Sequence, residues 1–161
     1  FPNLIYADKW QPSLAAIRPL VASGQLDLGN HTWHHDDTRN MSAATFKTEL
    51  ERNDAWLQDA FGASSLPIFR PPFGTYNTTV VKRSGKLGYT TVVTWSGGSR
   101  DWEGLTASQI VRTVEGEAGP GVIYLLHPNY ETTARALPRI IESLTAKGYR
   151  FVTLRELLGI T

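Results

Sequence analysis

Short apolar runs alternate with longer amphipathic stretches along the whole of this chain. That alternation constrains the fold more than any other feature. Residues 4–7, 26–29, 68–70, 91–95, 122–126 and 151–153 read as strands, and residues 13–22, 43–61, 79–87, 107–115 and 133–147 as helices. Such an order implies parallel strands joined by right-handed crossovers, hence an α/β sheet or barrel. The second helix is typical: Ser42 caps its start, and Phe46, Leu50, Trp56, Leu57 and Phe61 fall roughly on one face. Gly24, Gly62, Gly88 and Gly148 follow four helix ends, where a left-handed residue closes the last turn. A complete eight-unit barrel takes about 250 residues. With 161 residues, the expectation is one domain over residues 1–161, folded as an incomplete barrel.

What the chain lacks narrows its chemistry. It has no cysteine, which removes disulfides, thiolate metal ligands and cysteine nucleophiles. The 16 basic and 15 acidic residues leave a net charge of +1, with no basic run that would suit nucleic acid or an anionic membrane. No stretch approaches the ~18 apolar residues of a membrane span. Phe1-Pro2-Asn3 does not read as a signal peptide, so the chain is expected to be mature or trimmed. The Gly-x-Ser-x-Gly of serine hydrolases is absent, and Gly85-Lys86 lacks the flanking residues of a P-loop.

In α/β folds of this kind, chemistry collects on the loops after the strands. All four histidines fall in two such loops, at His31, His34, His35 and His127. His31 and His35 are four apart, so one helical turn would aim both imidazoles at a single cation such as Zn²⁺. His34 would point elsewhere and reads as a bystander. In Arg70-Pro71-Pro72-Phe73-Gly74 the prolines fix the backbone, leaving the amides of Phe73 and Gly74 to face a ligand. A partly buried Arg70 at a strand end calls for a carboxylate partner. Asp101 and His127 would come from the ends of adjacent strands, where a carboxylate orients an imidazole for acid or base work.

Taken in order, these loops resemble the polysaccharide deacetylases that share the NodB homology domain, carbohydrate esterase family four. His31-Thr32-Trp33-His34-His35 is similar to the family's second motif and Arg70-Pro71-Pro72-Phe73-Gly74 to its third. Asp101-Trp102 and Leu125-Leu126-His127 are similar to the fourth and fifth. The resemblance runs from about Leu4 to Leu158. It implies a deformed, incomplete β/α barrel with a divalent metal, usually zinc, on His31 and His35. The metal would acidify a water and polarise the acetyl carbonyl. The backbone amide of Phe73, where members usually carry Tyr, would steady the oxyanion. His127 would protonate the leaving group with Asp101 holding it charged, and Trp102 and Leu125 would wall the acetyl pocket.

The implied activity is hydrolysis of N-acetyl groups on chitin-like or peptidoglycan-like polymers by a secreted or wall-associated enzyme. Ester hydrolysis on acetylated xylan and carbohydrate binding without catalysis are the alternatives. The family's first motif, Thr-Phe-Asp-Asp-Gly, is not found, and with it go a catalytic base, a third metal ligand and the carboxylate that Arg70 would orient. Gly98 and Pro128 also stand where members often carry acidic residues. Three readings follow: the chain is part of a longer enzyme, Asp8 at the end of the first strand substitutes, or catalysis is lost. A missing first strand would leave a sheet edge open to weak self-association in an otherwise monomeric protein.

Overall fold

The computed structural model describes residues 7–160. In chain order its helices are α1 (Ala7–Trp10), α2 (Leu14–Ala22), α3 (Ala43–Phe61), α4 (Thr78–Lys86), α5 (Ala107–Gly116), α6 (Glu131–Ala146) and α7 (Leu154–Leu158). Its strands are β1 (Ile68–Phe69), β2 (Thr91–Val92), β3 (Gly97–Gly98) and β4 (Tyr124–Leu125). The chain divides into two compact units. The first runs through Thr94 and includes Thr153–Arg155; the second comprises Trp95–Val152 and Glu156–Ile160.

Among the described residues each unit contains one parallel strand-helix-strand element. In the first, β1 pairs with β2 in the register Ile68 to Thr91 and Phe69 to Val92, with α4 between them in sequence. In the second, β3 pairs with β4 in the register Gly97 to Tyr124 and Gly98 to Leu125, with α5 between them. The α/β class expected from the alternation is what the chain adopts.

Five helices begin and end within two residues of their expected bounds, because their signals are local. The Ser42 hydroxyl accepts the Thr45 amide at the start of α3, and Gly62 ends that helix at φ 79°. Gly24, Gly88 and Gly148 also take positive φ. The apolar stripe of α3 splits between two clusters. Phe46 and Leu50 pack with Phe69, Val80 and Tyr89, while Leu57, Ala60 and Phe61 pack with Leu28. In the second unit Ile110, Val111 and Val114 of α5 bury against Ala136, Ile140 and Leu144 of α6.

The strands depart further from expectation. Of residues 4–7 only Ala7 lies among the described residues, and it opens α1, so Asp8 sits exposed in a helical turn rather than at a strand end. Residues 26–29 form no strand; Asn30 instead makes a single parallel bridge to Phe69. Residues 151–153 likewise form no strand. The unexpected strand is Gly97–Gly98. A Cβ built on Gly97 would lie 2.8 Å from Val122 Cγ1 and 2.9 Å from Tyr124 Cε1. Only glycine lets β3 approach β4 this closely.

Candidate functional site

The site residues fall into two clusters, one in each unit. The first is anchored by Asn30, which is fully buried where it bridges to β1. Its Nδ2 lies 2.9 Å from the Leu50 carbonyl and 2.7 Å from the Tyr89 hydroxyl, while its Oδ1 accepts the Thr32 amide at 3.0 Å. The loop that follows is therefore launched from a fixed point.

His31 and His35 do converge, but not through a helical turn. Thr32 and His35 take φ values of 62° and 63°, a left-handed conformation costly for side chains of this size. Two side chains hold the loop there. Thr32 Oγ1 accepts the His35 amide at 3.1 Å. Glu49 of α3, itself buried, accepts the amides of Trp33 and His34 on Oε2 at 3.0 and 2.8 Å. Its Oε1 lies 2.7 Å from Nδ1 of His34. His34 is thus a strut rather than a bystander. Nothing in the spacing of the sequence pointed to Glu49, because its partners lie fifteen and sixteen residues away.

The chemistry of the histidine pair follows from the Arg70 carbonyl, 2.6 Å from His31 Nδ1. A carbonyl only accepts, so the ring proton is on Nδ1 and the lone pair of Nε2 faces outward. His35 Nε2 stands 3.1 Å from that nitrogen and a terminal guanidinium nitrogen of Arg70 stands 3.3 Å from it. Burial first, then the Arg70 charge, holds the His31 pKa well below the usual imidazole value. Burial also pulls Arg70 down to about 10. A neutral, oriented imidazole is the form that binds a metal. The donor set fits two positions around such an ion. Among the described residues no third histidine, cysteine or carboxylate joins them.

Phe73 stands beside His35, with ring centroids 4.7 Å apart, and is 63% exposed. Its own φ is 58°, set by the turn that the two prolines begin. The expectation that both following amides face a ligand needs correction. Gly74 donates its N–H to the Pro71 carbonyl at 3.1 Å, because the turn closes on itself. Among the described residues the Phe73 amide has no such acceptor.

The second cluster is built on Asp101, 1% exposed, in the short turn after β3. Its Oδ1 lies 2.8 Å from His127 Nδ1, and its Oδ2 accepts the His127 amide and the Thr133 hydroxyl, both at 2.7 Å. Burial alone would raise the carboxyl pKa. The ring and amide of His127, the Thr133 hydroxyl and the His127 charge outweigh it and leave the pKa below the ordinary value. Trp102 and Tyr130 meet the His127 ring edge-on, at centroid distances of 5.6 and 6.0 Å. Trp102 is exposed, whereas Leu125 is buried in β4. Thr133 and Tyr130 carried no motif signal and emerge only from the tertiary structure.

The chain is similar to known proteins over most of its length. The family model described as polysaccharide deacetylase matches residues 5–92. A peptidoglycan-N-acetylglucosamine deacetylase of Bacillus cereus is 34% identical over 88% of this chain and 67% of its own length. A bifunctional xylanase/xylan deacetylase of Cellvibrio japonicus is 33% identical over 80% of this chain and 20% of its own. The solved structure of the peptidoglycan deacetylase PdaC from Bacillus subtilis superimposes with a TM-score of 0.80 at 25% identity, covering 95% of this chain and 71% of that one. The chain thus spans about two thirds of the first curated relative and one fifth of the second.

Proposed function

Because the chain belongs to the polysaccharide deacetylase family, we propose that it hydrolyses acetyl groups from an acetylated polysaccharide. The substrate class is an N-acetylglucosamine polymer of the peptidoglycan or chitin kind. The observation that carries this reading is the buried Asp101 carboxylate bonded to both the ring and the amide of His127.

An ionised carboxylate accepts only, so the His127 proton on that side is on Nδ1 and Nε2 faces away from Asp101. Protonated, His127 presents an Nε2–H whose proton can pass to the departing sugar nitrogen. Trp102 and Tyr130 border the ring edge-on. In the other cluster, His31 and His35 would hold a divalent cation, zinc by preference for two imidazoles. Such a cation supplies Lewis acidity toward the acetyl carbonyl and acidifies a water. Arg70 stands next to these nitrogens as a fixed positive charge, and the Phe73 amide is the donor for a developing oxyanion. The exposed Phe73 ring offers a face on which a pyranose stacks.

This reading retains a single catalytic domain over residues 1–161, an incomplete barrel and a secreted or wall-associated setting. Nucleic acid and membranes are not among its partners. The test is acetate release from an N-acetylglucosamine oligomer with added Zn²⁺, beside His31→Ala and His127→Ala. Release abolished in both variants supports the proposal. No release from the unaltered chain under any metal, with oligosaccharide still bound, would make it a carbohydrate-binding remnant instead.

The xylan deacetylase relative favours a second reading, in which the acyl bond is an ester. Leaving-group basicity separates the two: an amine needs the acid more than an alkoxide does. His127→Ala should therefore depress amide turnover more than ester turnover, and an equal loss on both would count against His127 as the acid.

A further inference from the structure

We infer that Thr133 is the positioning residue that sets the Asp101 carboxylate, and through it the tautomer and direction of the His127 ring. The role rests on the reading of His127 as the acid, but its test does not depend on catalysis.

Asp101 is buried, so each of its oxygens requires donors. Two of the three side-chain-directed donors belong to His127 itself: the ring on Oδ1 and the backbone amide on Oδ2. A carboxylate held only by the residue that it orients would turn with that residue. The third donor is independent. Thr133 Oγ1 reaches Oδ2 at 2.7 Å from the third position of α6, and the residue is 3% exposed.

The hydroxyl is well anchored. A β-branched side chain on a helix has little χ1 freedom, so the backbone of α6 dictates where Oγ1 points. That backbone is fixed in turn by Ala136, Ile140 and Leu144, which pack against Ile110, Val111 and Val114 of α5. The line of constraint therefore runs from the core of the second unit through Thr133 to the carboxylate plane and then to His127 Nδ1.

His127 needs such a constraint. Its side chain keeps 34% of its exposure, so burial does not select a tautomer for it. A free imidazole prefers its proton on Nε2, whereas donation to Asp101 requires it on Nδ1. Nε2 points to the reacting group only while the carboxylate holds its place.

The test compares the unaltered chain with Thr133→Val, which keeps the shape but not the hydroxyl, and Thr133→Ser, which keeps the hydroxyl. Long-range ¹H–¹⁵N correlation of ¹⁵N-histidine-labelled protein reads the neutral His127 tautomer directly. Loss of one hydrogen bond to a charged group should move the ratio toward Nε2–H by about tenfold in Thr133→Val. Thr133→Ser should keep the original ratio. On N-acetylglucosamine oligomers Thr133→Val should lower kcat by roughly tenfold with little change in KM. An unchanged tautomer ratio in a folded Thr133→Val overturns the inference. If that variant does not fold, Thr133→Ala removes the same hydroxyl with less volume and carries the same comparison. Should the unaltered chain release no acetate, the deacetylase reading fails while the tautomer ratio still decides the role of Thr133.

Discussion

His31 Nδ1 lies 2.6 Å from the carbonyl oxygen of Arg70, and that contact alone decides which nitrogen of the ring is available. With its proton on Nδ1, His31 offers Nε2 toward His35 Nε2, 3.1 Å away. The same backbone that carries Arg70 into the cluster thus prepares the histidine as a ligand. His31→Ala and His35→Ala should each weaken Zn²⁺ binding by at least about 10–100-fold, the loss usual even for an outer-shell partner. Calorimetric titration of Zn²⁺ into each variant checks this, and equal affinities would remove the pair from the metal site.

Glu49 is the keystone of the histidine loop. Replacing it with Ala leaves the Trp33 and His34 amides and the His34 ring without their acceptor. Glu49→Ala should lose roughly 2–4 kcal/mol of stability, the cost of unpairing partly buried groups from a charge. Glu49→Gln should lose less, because its amide oxygen still accepts the two backbone donors. Urea unfolding curves of the three proteins separate these outcomes.

The depressed Asp101 pKa makes a prediction about acid stability. A carboxyl whose folded pKa lies below its unfolded value, 3.8, contributes stability that is present above 3.8 and lost as pH falls through the folded pKa. Unfolding free energy of the unaltered chain should therefore drop below pH 4, and Asp101→Asn should lack that component of the drop. Parallel acid limbs in the two proteins would contradict the assigned hydrogen bonding of Asp101.

Gly97 is predicted to be intolerant of any side chain. An added Cβ meets Val122 and Tyr124 at 2.8 and 2.9 Å, and Tyr124 is the partner of Gly97 in the strand pairing of the second unit. Gly97→Ala should destabilise by about 1–3 kcal/mol, as overpacking does. Gly98→Ala, whose nearest atom would be Trp102 Cη2 at 3.9 Å, should be milder. Thermal unfolding of both variants tests the contrast.

The helices, their caps and the α/β class were legible in the sequence because their causes are local: an apolar stripe, a capping hydroxyl, a glycine after the last turn. The motif residues were legible too, including the pairing of Asp101 with His127. The strands were not. Runs of two residues depend on which backbone lies alongside, so Gly97–Gly98 formed a strand while 151–153 did not. The four-residue spacing of His31 and His35 suggested a helical turn, which is the cheapest local way to bring them together. Tertiary structure chose another. Buried Asn30 and Glu49 come from separate parts of the chain, and they hold the intervening backbone in a left-handed turn that no local preference favours. Sequence determined which groups are present and how their helices form. Long-range hydrogen bonds to buried polar side chains decided where those groups point, because such bonds exist only once the fold has closed.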